Sequence, residues 1–252
     1  MGVIMERFEL EVCIDSVESA LAAQAGGATR LEVCENLIIG GTTPGPWLFD
    51  EIRKRCDIKM NIMIRPRHGD FYYTDYEFAI MKNAVRWYRD QGADGIVIGI
   101  LKADGSLDTQ RMKELMNEAG DMAVTLHRAF DVCRDPYEAM SDAVNLGIDT
   151  ILTSGQKNVS AEGTKLLKSL VKKSSGKIDI MVGSGVSHLV IEDLYKKTGA
   201  TTYHMSGKRT LESQMDYRKE DVSMGHYTIT EYGLGRTDME CVKKAREILE
   251  SL

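Results

Sequence analysis

The sequence predicts one closed (β/α)8 barrel spanning residues 1–252, and three observations carry that prediction. Eight short apolar runs alternate with eight longer amphipathic segments at about 31 residues per unit, the natural count for such a barrel. Six of the seven helix-to-strand junctions hold glycine (Gly26/Gly27, Gly92, Gly120, Gly147, Gly176 and Gly199), which suits the left-handed turn that ends a helix. The first strand-to-helix turn, Cys13-Ile14-Asp15-Ser16, lacks the glycine fingerprint of a dinucleotide site and so disfavours an open doubly wound sheet.

In chain order, the first predicted strand covers residues 8–12 and turns Leu10 and Val12 to one face, Glu9, Glu11 and Cys13 to the other. A helical segment follows over 16–25. The second strand, 29–34, repeats the tetrapeptide Leu-Glu-Val-Cys of residues 10–13, setting Leu31 and Val33 against Glu32 and Cys34. A helix over 46–55 leads to a strand at 58–64, whose parity turns Asn61, Met63 and Arg65 inward. The helix at 75–91 precedes the apolar run 95–98, and the helix at 108–119 precedes a strand at 123–127 that turns Thr125 and His127 inward. Beyond the helix at 136–146, the strand at 150–153 contributes Thr153. The helix at 161–173 is followed by a strand at 177–182 contributing Met181. Finally, a helix at 187–197 leads to a strand at 201–206, contributing Thr202, His204 and Ser206, and a helix at 238–252 closes the chain. Residues 207–237 show neither helical nor strand periodicity and are predicted to form a long ordered loop carrying Tyr217, Tyr227 and Tyr232.

Thirty-two basic residues against 38 acidic ones give a net charge of −6 and a pI near 5.5, which argues against a nucleic-acid partner. The first ten residues carry Glu6, Arg7 and Glu9 and no apolar signal core, and Glu6 breaks a myristoylation pattern after Gly2. No apolar stretch is long enough to span a bilayer. Five cysteines without a Cys-x-x-Cys spacing read as a reduced cytoplasmic chain.

A packed barrel interior favours Val, Ile and Leu, yet parity places Glu11, Glu32, Arg65, His127 and His204 inside this one. Buried charges need partners, so five converging near the strand C-termini predict a pocket, against the blander alternative of an ion-pair network with Arg65 neutralising one glutamate. Glu11 and Glu32, on neighbouring strands roughly 4.8 Å apart, suit general acid–base work. The two carboxylates with His127 and His204 would also suit a divalent metal. Cys13 and Cys34 would suit a soft ion such as Cu(I), supplemented by Met63 and Met181. No inward lysine lies near the upper rim, which disfavours Schiff-base chemistry. Gly183-Ser184-Gly185 with Ser206-Gly207-Lys208-Arg209 predict an anion site at the two loops where barrels often hold phosphate.

Several words of the sequence resemble the CutC copper homeostasis family: Glu11-x-Cys13, residues 40–44 (Gly-Gly-Thr-Thr-Pro), 63–67 (Met-Ile-Arg-Pro-Arg) and 69–71 (Gly-Asp-Phe). The segments 127–131 (His-Arg-Ala-Phe-Asp), 152–155 (Leu-Thr-Ser-Gly), 183–186 (Gly-Ser-Gly-Val) and His204-x-Ser206 extend the likeness over nearly the whole chain. His68 and Ser184 stand where the family more often has glycine. The resemblance implies a cytoplasmic homo-oligomeric barrel linked to copper handling, with copper binding. Two readings follow. One is a copper-binding homeostasis protein with Cys13 and Cys34 as ligands. The other is a barrel enzyme of isomerase, epimerase or lyase type acting on a small phosphorylated metabolite. Glu11, Glu32 and His127 would then be its acid–base groups, and Arg65, Arg128, Asp131, Ser154, Gly183, Gly185, His204, Ser206 and Lys208 its substrate contacts.

Overall fold

Residues 8–219, 221–224 and 230–252 are described in a computed structural model of the chain. Tyr227 and the first seven residues, on which the expectations about the long loop and the N-terminus partly rest, lie outside the described residues. Eight parallel strands close into a barrel in sequence order: β1 (Glu9–Ile14), β2 (Arg30–Val33), β3 (Lys59–Met63), β4 (Gly95–Ile98), β5 (Ala123–Leu126), β6 (Thr150–Thr153), β7 (Asp179–Val182) and β8 (Thr202–Met205). Eight helices surround it: α1 (Val17–Ala25), α2 (Pro46–Arg53), α3 (Asp75–Asp90), α4 (Thr109–Ala119), α5 (Pro136–Leu146), α6 (Thr164–Ser174), α7 (Ile191–Thr198) and α8 (Met239–Ser251). Among the described residues, no helix is long and apolar enough to cross a membrane.

Local chemistry fixes the helix ends. Asp135 accepts hydrogen bonds from the amides of Tyr137 and Glu138, satisfying two orphan donors at the start of α5, while Pro136 pre-sets the first helical dihedral. Gly147 ends α5 with φ 82°, a conformation that would strain any side chain bearing a Cβ. At α3, Thr74 and Glu77 exchange side-chain and backbone bonds in a full capping box.

The strand alternation expected at β1 and β2 is present. Leu10, Val12, Leu31 and Val33 are fully buried in the layer between barrel and helices, with Ile62, Ile98, Leu126, Val182 and Tyr203. Each such aliphatic side chain contributes about 1.5–3 kcal/mol by leaving water. A separate small apolar cluster of Cys34, Met63 and Val97 lies within.

Two expectations about the strands need correction. Leu152, not Thr153, lines the barrel mouth; the Thr153 hydroxyl instead donates to Asp131 Oδ1 at 2.5 Å. Leu152 fills space that Gly183 leaves open, since a Cβ at Gly183 would lie 2.4 Å from Leu152 Cδ1. The segment 207–237 is no simple loop either. Strands β9 (Lys208–Glu212) and β10 (Gly233–Thr237) pair antiparallel, and the Thr237 amide donates to Ser19 Oγ of α1 at 3.0 Å. Every β9 residue is exposed, so neither face of that strand imprints an apolar alternation on the sequence.

Candidate functional site

Register decides which inward residues meet. Along β1 and β2, Glu11 stands opposite Arg30 and Cys13 opposite Glu32; between β1 and β8, Glu11 stands opposite His204. The barrel's stagger therefore lifts Glu32 one inward layer above Glu11 and replaces the expected glutamate pair by Glu11 with Arg30. Arg30 Nε donates to Glu11 Oε2 at 2.5 Å and its Nη1 to Glu9 Oε2 at 2.7 Å, while Asn61 Nδ2 donates to Glu11 Oε2 at 3.3 Å. Burial opposes the Arg30 charge, but attraction from Glu11 and Glu9 outweighs it and raises the guanidinium's pKa. Met181 belongs to this floor: its Sδ accepts from Arg30 Nη2 at 3.4 Å, below the layer of the cysteines.

Above the floor opens a cavity of about 290 Å³, lined among others by Cys13, Glu32, Met63, Arg65, Phe71, His127, Arg128, Gly185, His204 and Ser206. Cys13 Sγ, a Glu32 oxygen and a His204 ring nitrogen all lie within 4.8 Å of one another. His204 Nε2 is 3.0 Å from Glu32 Oε2 and 3.9 Å from Glu11 Oε1. Burial disfavours both charges, yet mutual attraction lowers the Glu32 pKa and, with Cys13, raises that of His204 well above its ordinary value. Cys34 stands apart from this trio. Its thiol donates to Glu32 Oε2 at 3.5 Å, and burial together with Glu32 pushes its pKa well up.

The opposite wall is built on His127 and Arg65. The His127 ring packs over Gly99, where a Cβ would lie 2.5 Å from Cε1, and beside Phe71 at a centroid distance of 4.9 Å. Its Nδ1 accepts from the Ala129 amide at 3.1 Å, so the ring proton sits on Nε2, which is buried without a partner among the described residues. Burial, and then the Arg65 charge, push its pKa down to about 4. Arg65 pairs with no glutamate among the described residues. Its Nη1 donates to the carbonyls of Gly41 (3.0 Å), Gly40 (3.3 Å) and Ile39 (3.4 Å), its Nη2 to that of Gly69 (3.0 Å), and its guanidinium lies over the Phe71 ring.

The rim residues divide. Arg128 lines the cavity, but Asp131 and Ser154 turn towards each other outside it. Asp131 Oδ2 accepts from Arg128 Nε at 2.7 Å and from Ser154 Oγ at 2.9 Å, and Oδ1 accepts from the Gln156 amide at 3.1 Å. Ser184 holds φ 71° and donates through Oγ to the Asn158 carbonyl at 2.6 Å, which braces a conformation glycine would adopt freely. Gly185 and Ser206 line the cavity, whereas Gly183 sits behind Leu152. Lys208 lines a neighbouring groove with Asp15 and Arg236, and Arg209 Nη1 lies 3.3 Å from Asp238 Oδ2, so both basic residues leave the anticipated anion site.

Comparison with known proteins decides the family. The CutC family model matches residues 8–209. The chain belongs to the CutC family. A family protein CutC of Bacteroides thetaiotaomicron is 43% identical over 225 residues, covering 88% of this chain and 89% of that protein. The human protein named copper homeostasis protein cutC homolog is 39% identical over 246 residues, covering 97% of this chain and 90% of its own. The solved structure of CutC from Streptococcus agalactiae superposes with a TM-score of 0.76 at 30% identity, covering 79% of this chain and 98% of that one.

Three residues of this CutC-family site carried no assigned role in the sequence reading. Arg30 shares the parity of Glu32, and the same alternation continued one step down β2 reaches it. Phe71 stands inside one of the family words without a chemical signal of its own. Gly99, on which the His127 ring rests, gave no signal at all.

Proposed function

We propose that this CutC-family chain is a cytoplasmic, homo-oligomeric copper-binding protein, with Cys13 and His204 as principal ligands and Glu32 as the third. The observation that carries this reading is the gathering of Sγ, an imidazole nitrogen and a carboxylate oxygen within 4.8 Å in one cavity wall. A thiolate is a soft ligand that favours Cu(I), and imidazole also binds copper. Donors about 2.0–2.3 Å from an ion lie closer together than that limit, so modest side-chain rotation completes the site. Cys34 is not in the ligand set, because its thiol is spent on Glu32 and points into the cluster of Met63 and Val97. A Cu(I) competition titration tests the assignment: Cys13→Ser weakens binding by about tenfold or more, whereas Cys34→Ser leaves it near that of the parent. Parent-like affinity in Cys13→Ser would remove the site.

A second reading is favoured by a separate observation. The cavity of about 290 Å³ exceeds what one ion fills, and Glu32 Oε1 and His127 Nε2 remain without partners among the described residues. An acid–base enzyme acting on a small phosphorylated metabolite would use Glu32 as the proton carrier and His127 as the hydrogen-bond donor. Glu11, sealed against Arg30, drops out of that role. The amides of Ser184, Gly185 and Val186, which donate to no group among the described residues, would face the phosphate. Glu32→Gln abolishing turnover without loss of fold supports this reading; an active Glu32→Gln enzyme ends it.

A further inference from the structure

Charge in the cavity does not balance. On the floor Glu11 shares Arg30 with the more exposed Glu9, Glu32 faces His204, and outside the rim Asp131 holds Arg128. Arg65 is left over: 7% exposed, it makes no ion pair among the described residues, its Nη groups donate to four main-chain carbonyls, and the buried, neutral Tyr73 hydroxyl beside it brings no charge. A buried cation without a counter-charge is costly unless something anionic visits it.

The donors at this pole specify what can visit. Both Nη groups of Arg65 are engaged, and Nε alone is unpartnered. His127, 3% exposed, adds its Nε2–H to the same cavity lining. Two single N–H donors and one positive charge match the two oxygens and one charge of a carboxylate. A phosphate dianion would bring a third oxygen and a second charge without partners. Across the cavity, the free Oε1 of Glu32 is an acceptor with nothing donating to it, suited to a hydroxyl. Phe71 stacks on His127 and lies under Arg65, excluding water from the side of the pole.

We propose that the barrel mouth binds a small hydroxycarboxylate, its carboxylate held by Arg65 and His127 and its hydroxyl donating to Glu32. The assignment concerns binding to the metal-free protein, shares Glu32 with the proposed copper site, and requires no turnover. At about 290 Å³ the cavity lies at the small end of ligand pockets, which limits the ligand to a small metabolite.

Metal-free protein with 13C-labelled histidine tests it, following the His127 Cε1–H resonance with four probes: glycolate, acetate, glycolamide and inorganic phosphate. Glycolate should shift His127 saturably in the millimolar range. Glycolamide, equal in shape but uncharged, should bind about tenfold or more weakly, and acetate should fall between them. Inorganic phosphate should leave His127 unmoved; if it perturbs the amides of 184–186, that bears on the phosphorylated-metabolite reading separately. Arg65→Gln should abolish the glycolate response. Because Arg65 also braces the turn at 39–41, His127→Gln, followed through Ala129 and Phe71 amides, is the second variant, with an expected loss of about tenfold. Glycolamide binding as tightly as glycolate, or phosphate displacing glycolate from His127, overturns the proposal. Equal binding of acetate and glycolate overturns the hydroxyl assignment to Glu32.

Discussion

The ring of His127 rests on the bare Cα of Gly99, with Cε1 only 2.5 Å from where a Cβ would be. One strand end thus leaves a gap that the next strand's imidazole fills, and the fit fixes where Nε2 emerges into the cavity. Gly99→Ala should cost about 1–3 kcal/mol through overpacking, measured by urea denaturation, and the added variant His127→Ala should recover part of it. A Gly99→Ala protein as stable as the parent would mean that the ring has room to move.

His127 also sets a pH dependence. Its pKa falls from an ordinary 6.5 to about 4 in the folded chain, so the folded state resists the proton that the unfolded state accepts. The associated stability is fully present above pH 6.5 and is lost as pH falls towards 4. The shift corresponds to about 3 kcal/mol. Unfolding free energy measured in urea at several pH values should show this acid limb in the parent and lose most of it in His127→Gln.

Parity makes much of this site legible in the sequence. Alternation along β1, β2 and β8 is a local steric property, so Glu11, Glu32 and His204 face inward as the sequence implied. What parity does not carry is height. Barrel closure staggers the strands, and that stagger sets Cys13 beside Glu32 and Glu11 beside Arg30, separating the two glutamates and the two cysteines that looked level. Arg65 faced the right way, but its carbonyl partners at 39–41 and 69 come from loops whose path no periodicity encodes. Strand β6 shows a further limit: Thr153 looked inward as a polar residue in a polar pocket, and Asp131, on a turn after the neighbouring strand, claims its hydroxyl instead. The β9–β10 pair was hidden because β9, exposed along its whole length, lacks the apolar signal by which strands are read.

The Glu11–Arg30 pair should be unforgiving in one direction only. Arg30→Met leaves a buried carboxylate without its counter-charge, which costs about 3–5 kcal/mol. Removing both charges in Arg30→Met with Glu11→Leu should return most of that loss, because the pair's attraction mainly offsets its own desolvation. Thermal and urea unfolding of the two single variants and the double variant form the cycle that checks it; additive losses would mean the two groups are not coupled.

Asp131 gives the sharpest contrast between a ligand contact and an architectural group. Its two oxygens hold Arg128, the hydroxyls of Thr153 and Ser154, and the amides of Ser154 and Gln156, at only 5% side-chain exposure. An amide in its place keeps one acceptor oxygen and presents an NH2 group where Arg128 and the amides need acceptors. Asp131→Asn should therefore cost about 2–3 kcal/mol, the range for lost charge-assisted bonds, and the loss should be local to the loop after β6. Hydrogen exchange reads it directly, because local opening free energies differ from one segment to another. Protection of the Ser154 and Gln156 amides should fall by about thirtyfold or more, while amides of β1 and β2 change far less. If Asp131 were instead held free for a substrate, the asparagine variant would keep its loop protection and lose only ligand affinity.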